Sequence, residues 1–375
     1  NPFSNGGFDV IIGNPPYVNI NTQPAIHDYL LHNYAEIHTG YNDLMYYFLY
    51  KGIKLLKPNG IMGMITSNYY IRNEYAKKLR LFLNKHTERI IDFRERMIFS
   101  DANVHTAIIF AKNADVQSDF EIFSHVKGNE EINLSEDFEK CLIERKNLSD
   151  TWIIASETSN AIIEKMKENS VCLEDITFIE QGSKSGKNDV FTVSRDFAKT
   201  HNFESELLRG NVKNGDIQSY TFADRGNVLI YTDNGTEVEK YPNIYRYLLE
   251  NKEILSSRNE VKKGCYSWFR FDRPRNKAIF DAKEKIIVPY RAEHNRFAYD
   301  NQQYFNDGGD IRAIVVKDEN AYSIKYLLAL LNSTLLDWYY GFIGKTKGSL
   351  REYFNTPLAQ IPIPAISPDE QKPFV

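Results

Sequence analysis

The sequence predicts an α/β protein in two parts, a partial doubly wound domain followed by a mixed α/β module, and three observations lead there. Residues 1–115 alternate continuous apolar runs with helical patterns, the order of a sheet with parallel strands. From 116 to 170 the chain turns polar and acidic, as in "NADVQSDFEIFSHVKGNEEINLSEDFEK". Beyond 171, short strands stand between glycine- and asparagine-rich turns, over a length ordinary for one domain.

"FDVIIGN" (8–14) is a strand of the continuous apolar kind expected inside a parallel sheet. "NDLMYYFLYKGIKLL" (42–56) has apolar residues at helical spacing, and "KPNG" (57–60) ends it. "IMGMITS" (61–67) is the next buried strand. In "NEYAKKLRLFLNKH" (73–86), Ala76, Leu79, Phe82 and Leu83 share one helix face. "RIIDF" (89–93) and "VHTAIIFA" (104–111) follow as strands around the loop "RERMIFSDAN". Together these describe the second half of a doubly wound domain. The glycine-rich strand-turn-helix that opens such a domain and holds its cofactor has no counterpart before residue 8. The expectation is therefore a chain cut from a larger enzyme, just ahead of its catalytic motif.

Residues 116–170 are expected to pack on the first domain or to connect it to the second. They include the extended "DTWIIA" and the short helix "SNAIIEKMKENS". In the second module, "FTV", "VLIY", "KIIVPY" and "IRAIVV" read as strands, and "AYSIKYLLALLNSTLLDWYYGF" (321–342) as one clear helix.

Composition excludes several classes. Hydrophobic residues at 42% and charged ones at 26% fit a globular chain rather than a disordered one. Cys141, Cys172 and Cys265 are far apart in sequence and form no CxxC, which argues against a disulfide scaffold or zinc site and fits a reducing cytoplasm. No HExxH, GxSxG or Pro-Cys motif is present, and no apolar run reaches membrane-spanning length. The net charge of −4 neither advertises nor forbids nucleic-acid binding, which depends on where the positive charges sit.

The chemistry concentrates at Asn14-Pro15-Pro16-Tyr17, directly after the first strand. Ligands of open α/β sheets bind beyond the carboxyl ends of strands. The asparagine amide supplies an acceptor there. Pro16 has no N–H, and Pro15 is held extended by the proline after it. Carbonyl oxygens are thus presented in a rigid array. Two converging acceptors beside an aromatic ring suit a planar group bearing an NH₂, whose lone pair they draw out of conjugation for attack on an electrophile. A bare "PPY" would more often be a strained surface loop. At a sheet's carboxyl edge, after an asparagine, the functional reading is favoured.

This segment resembles the NPPY motif of amino-group methyltransferases that use S-adenosylmethionine. The motif order is similar to adenine-N6 DNA methyltransferases of Rossmann-like fold that end in a target-recognition domain, as in restriction-modification enzymes joining both activities. The resemblance implies that Asn14 and the Pro15 carbonyl hold the adenine amine, with Pro16 in the same turn and Tyr17 stacked on a base flipped out of the duplex. "GYNDLMYYFLYKGIKLLKPNG" resembles the next motif and implies that Phe48 lines the cofactor's adenine ring; by helical position alone Phe48 reads as core. "ERMIFSDANVHTAIIF" resembles a later segment and gives Phe99 the other face of the base. Alone, such a chain is expected neither to methylate nor to bind the cofactor well.

The second module (171–375) resembles the target-recognition domain through softer motifs spread over 178–364. Its candidate duplex contacts are Lys184, Lys187, Arg270, Arg273, Arg275 and Lys277. "WFRFDRPRNK" (268–277) interleaves basic and aromatic residues more closely than a solvated face requires. Arg273 and Arg275 suit guanine edges, whereas the lysines suit phosphates. Two other readings stay open, a non-catalytic DNA-specificity module and a methyltransferase acting on RNA or on protein glutamine. Acids near lysines in "DAKEK" (281–285) give a weak nuclease signal.

Overall fold

A computed structural model describes residues 6–94, 96–100, 104–126, 132–133, 136–145, 148, 152–347 and 349–374. Contacts divide the chain into two units, Asn1–Glu164 and Lys165–Val375.

The first unit is built on six strands: β1 (Phe8–Gly13), β2 (Leu56–Ser67), β3 (Thr87–Asp92), β4 (Thr106–Lys112), β5 (Phe120–His125) and β6 (Phe138–Ile143). Their spatial order is β1-β2-β4-β3-β5-β6. β1 and β2 pair in parallel, while β4 lies antiparallel between β2 and β3. β1, β2 and β3 therefore point the same way, and their carboxyl ends meet along one edge of the sheet. Helix α1 (Pro24–Asn33) follows β1; α2 (Leu44–Leu55) and α3 (Lys77–Asn84) flank β2 in sequence. Gly52 lets α2 lie close on β2, since a Cβ there would stand 2.7 Å from the Met62 sulfur. Ala76, Leu79, Phe82 and Leu83 are all buried, as the helical spacing predicts.

Three sequence expectations change in this unit. The β1 strand is apolar but not enclosed: Val10 is 58% and Ile12 84% exposed, because β1 is the end strand of the sheet. "KPNG" ends α2 but does not leave the sheet. It forms an irregularity inside β2, with Asn59 at φ 66° and the β1 register shifting between Phe8 and Val10. The segment left open between connector and packed element is an integral part of the unit. It supplies β5 and β6, and Trp152, 1% exposed, packs on Phe120 and Tyr70. The first unit ends inside α4 (Glu157–Lys167).

The second unit contains β7 (Ser170–Cys172), β8 (Thr177–Gln181), β9 (Thr192–Ser194), β10 (Leu208–Gly210), β11 (Asn227–Ile230), β12 (Lys285–Pro289), β13 (Arg291–Ala292), β14 (Ala298–Asp300), β15 (Ile311–Val316), β16 (Lys345–Lys347), β17 (Leu350–Glu352) and β18 (Pro362–Pro364). The main sheet has the order β14-β12-β15-β8, and β10-β11-β9 form a second one. β7 pairs with β18, closing the ends of the unit on each other. Ile287, Phe305, Phe271 and Leu229 belong to its continuous core. The long helix expected over 321–342 is two helices, Ile324–Leu331 and Thr334–Ile343. Asn332 turns its amide onto both backbone groups of Phe297, and Ser333 caps the second helix by accepting from the Leu336 N–H. Local side-chain bonds end the first helix and start the next.

Candidate functional site

At the carboxyl end of β1, Asn14 and Pro16 are exposed, Pro15 is buried and Tyr17 is half-buried against the core. The Tyr17 hydroxyl donates to Asn14 Oδ1 at 2.8 Å and lies 3.3 Å from the Ile65 carbonyl of β2. Burial first, then the Asp43 carboxylate, raises the Tyr17 pKa, so the phenol stays protonated and able to donate. One lone pair of the Asn14 oxygen is thus held by Tyr17, and the other remains for an incoming donor. Among the described residues no hydrogen bond reaches the Pro15 carbonyl. The strand end therefore offers two acceptors in a fixed frame.

The chain after Tyr17 is tied to α2. The Leu44 N–H donates to the Val18 carbonyl at 2.7 Å, and the Ile20 N–H to that of Asn42 at 3.1 Å. Asp43 caps α2 by accepting from the Met45 N–H at 3.0 Å. Burial pushes the Asp43 carboxyl up to about 6 despite that bond. One turn along the helix stands Phe48, 45% exposed, while Met45, Tyr46, Tyr47 and Leu49 are buried. The core reading of Phe48 is therefore overturned, and an open ring is left near the α2 N-terminus. Of residues 45–49, Phe48 alone presents an open apolar ring. Among the described residues no glycine-rich turn with an acidic partner stands beside it to clasp a ribose.

Phe99 is half-buried in the loop that leaves β3. Asn68, just past the carboxyl end of β2, donates to Asp92 Oδ1 at 2.9 Å and to the Arg94 carbonyl at 3.3 Å, anchoring the start of that loop. The carboxyl ends of β1, β2 and β3 lie along one edge of the sheet, and Phe99 makes no ring contact with Tyr17 among the described residues. Residues 95 and 101–103, which flank Phe99 in the quoted motif, lie outside the described residues.

In the second unit, the loops that carry the basic candidates are fixed. Ser183 and Ser185 of "QGSKSGKN" are completely buried, and Asp307 accepts from both the N–H (2.8 Å) and the hydroxyl (2.6 Å) of Ser185. Lys184 exchanges backbone hydrogen bonds with Arg273 at 2.9 and 2.8 Å, so the glycine-flanked loop and the basic loop form one piece. Arg258 is the brace. Its guanidinium donates to the carbonyls of Leu255 (2.9 Å), Ser185 (2.6 Å), Arg270 (2.8 Å) and Trp268. Gly186, at φ 79°, lies against it; a Cβ there would sit 3.1 Å from Arg258 Cδ.

The six basic candidates separate by what already holds them. Arg273 is exposed, and its side chain has no partner among the described residues. Arg275 has φ 66° and donates to Gln181 Oε1 at 2.8 Å. Arg270 lies 4.7 Å over the Tyr266 ring and donates to the Phe271 carbonyl. Lys277 is paired with Asp281, which also binds Arg209. Lys184 and Lys187 are half-buried, with their ammonium groups unpaired among the described residues. The interleaved rings are anchors: Phe271 is fully buried 5.0 Å from Phe191, and Trp268 and Phe269 pack on the same core. The acid-lysine group at 281–285 is structural as well, since Lys285 is completely buried on Asp300 at 2.6 Å.

Sequence reasoning missed Asp43, Arg258 and Gln181. Asp43 had a signal, an aspartate just before an apolar helical run. Arg258 reaches back to Ser185 and Gln181 forward to Arg275, both far away in sequence, and neither leaves a local trace.

Residues 1–99 match the family described as the Eco57I restriction-modification methylase, and residues 229–363 the TaqI-like C-terminal specificity domain. The chain is 26% identical to the type II restriction enzyme and methyltransferase RM.Eco57I of Escherichia coli, over 99% of this chain and 42% of that protein. It is also 25% identical to the type II methyltransferase M.BstVI of Geobacillus stearothermophilus, over 95% of this chain and 67% of that one. In fold it is similar to the type IIL restriction-modification enzyme MmeI in complex with DNA, at a TM-score of 0.61 and 13% identity over 94% of this chain and 45% of that chain.

Proposed function

We propose that this chain, whose architecture is that of a restriction-modification adenine methyltransferase with a fused specificity domain, presents adenine in duplex DNA for methylation at N6. S-adenosylmethionine supplies the methyl group when bound, and Phe48 is the residue placed to line its adenine ring. Asn14 Oδ1 and the Pro15 carbonyl accept the two N–H bonds of the target amine. The nitrogen lone pair is then directed out of the base plane, toward the electrophile. Pro16 keeps the turn rigid, while Tyr17 and Phe99 face the flipped base. Arg270, Arg273, Arg275, Lys184, Lys187 and Lys277 belong to the duplex-facing module. The setting is the cytoplasm, where DNA and cofactor meet.

The observation that carries this reading is the end of β1, where one lone pair of the Asn14 oxygen is oriented by Tyr17 and the Pro15 carbonyl is unpartnered among the described residues. The test uses the whole enzyme to which the sequence belongs. Asn14→Ala is expected to abolish methyl transfer to duplex DNA and to leave duplex affinity nearly unchanged, because phosphate and base-edge contacts are made elsewhere. Near-normal turnover in that variant would remove Asn14 from the mechanism. Transfer to RNA or to a glutamine peptide, with none to DNA, would replace the substrate assignment.

A further inference from the structure

The turn Asp233-Asn234-Gly235 forms a ridge between two surface depressions of the second unit. One, of about 550 Å³, includes Asn234, Arg270, Asp272, Arg273 and Arg275 in its lining. The other, of about 380 Å³, includes Glu206, Arg209, Glu237 and Lys277. Asp233 fixes the turn: its Oδ1 accepts from the Gly235 N–H at 2.9 Å and the Thr236 hydroxyl at 3.1 Å, and its own N–H donates to that hydroxyl. The base of the turn is bound to the arginine loop. The Thr232 hydroxyl donates to the Phe269 carbonyl at 2.6 Å, the Phe271 N–H to the Thr232 carbonyl at 3.1 Å, and the Tyr231 hydroxyl to the Pro274 carbonyl at 3.1 Å. Turn and arginine loop are one rigid frame.

Most polar side chains around the larger depression are already engaged. Asp233 closes its turn, Asp272 accepts from the Tyr266 hydroxyl at 2.5 Å, Arg270 sits on the Tyr266 ring, and Arg275 is held by Gln181. Two are not. Asn234 at the tip of the turn and Arg273 across from it are exposed, with no side-chain partner among the described residues. A rigid frame that leaves one amide and one guanidinium free of protein partners has the chemistry for reading base edges. An asparagine amide matches the N6 donor and N7 acceptor of adenine, and an arginine fork matches O6 and N7 of guanine.

We infer that Asn234 is a specificity-determining residue that reads adenine in the major groove, while Arg273 reads a guanine. The inference rests on the DNA-binding reading above and adds to it the two bases and the residue for each. Both side chains line one depression, so the two bases are read from one face of the module.

The test is selection of bound sequences from a randomised duplex pool by the full chain, followed by anisotropy on the selected duplex. Asn234→Ala is expected to weaken that duplex roughly ten-fold and to lose preference at one base pair only. Asn234→Asp keeps the shape of the tip but loses its donors. It is expected to shift the same position from adenine toward cytosine, whose N4 donates. Arg273→Ala should lose preference at a second base pair. A selective parent chain with an unchanged preferred sequence in both Asn234 variants would overturn the role of Asn234 and leave the DNA reading intact. A parent chain that binds no duplex, or binds all alike, would overturn both.

Discussion

The Tyr17 hydroxyl decides which way the Asn14 amide faces, and the two functions of the tyrosine can be separated on that basis. Tyr17→Phe keeps the ring and removes one neutral hydrogen bond, worth about 1 kcal/mol. Turnover is expected to fall about five-fold with base capture unchanged, as single-turnover kinetics of the whole enzyme would read. Tyr17→Ala loses the ring too, and its defect should be partly relieved by a mismatch beside the target, which lowers the cost of flipping. Asp43 gives a second prediction. Its folded pKa, about 6, lies above that of a free carboxyl near 4, so the folded chain binds the proton more tightly than the unfolded one. Its contribution to stability is therefore lost as pH rises from about 4 through about 6. Asp43→Asn keeps the cap without the charge and should stabilise the chain at pH 7 by about 1 kcal/mol after allowance for solvent screening. Melting curves at pH 5 and pH 7 should show the gain shrinking at the lower pH. Asn14, Pro15, Pro16 and Tyr17 stand side by side in the sequence, so their grouping needs no tertiary information. The hydroxyl-to-amide bond spans only three residues, yet a string of letters does not say which rotamer closes it.

The loops of the second unit hold their shape through one buried cation. Arg258 donates to four carbonyls, and its pKa is lowered chiefly by burial, the cost of taking a guanidinium out of water. Arg258→Met keeps the bulk and leaves those acceptors unpaired; the chain should lose roughly 2–4 kcal/mol of stability in urea titration. Amide exchange should quicken across 267–275 before it does in β12 or β15. Gly186→Ala should act in the same direction and more weakly, by about 1 kcal/mol, through its positive φ and its contact with Arg258. Among the elements, those with a clean period were readable: β2, β4, α2, α3, β12 and β15 all form where the pattern puts them. The break at Asn332–Ser333 was hidden, because an amide bonding to a distant backbone looks the same in sequence as one facing water. Lys285 misled for a related reason. Its partner, Asp300, lies on β14, and neither residue alone signals a fully buried pair.

Over the whole molecule, a net charge of −4 makes the placement of free cations more informative than their number. Many arginines of the second unit are already occupied, as in Arg291 with Glu352 and Arg351 with Asp337. Duplex binding should therefore have a modest salt slope. Lys184→Ala and Lys187→Ala should each reduce it by about one on a log-log plot if each ammonium contacts a phosphate. Lys277→Ala should change it less, because Asp281 already neutralises that lysine. Anisotropy at two salt concentrations distinguishes the three. The texture of the sequence changes along the chain, from long apolar runs to short strands among polar turns. Polar, acidic letters between 116 and 143 conceal β5 and β6, whose inward faces carry only every second residue.

Asn234 and Arg273 hang from their frame by backbone alone, and this has an evolutionary consequence. Exchanging either tip costs almost nothing in folding, since no neighbour loses a partner. Selection can therefore try new letters there while Arg258 and Asp307 stay fixed. Lineages sharing this scaffold should drift apart in target sequence faster than in anything that keeps them folded.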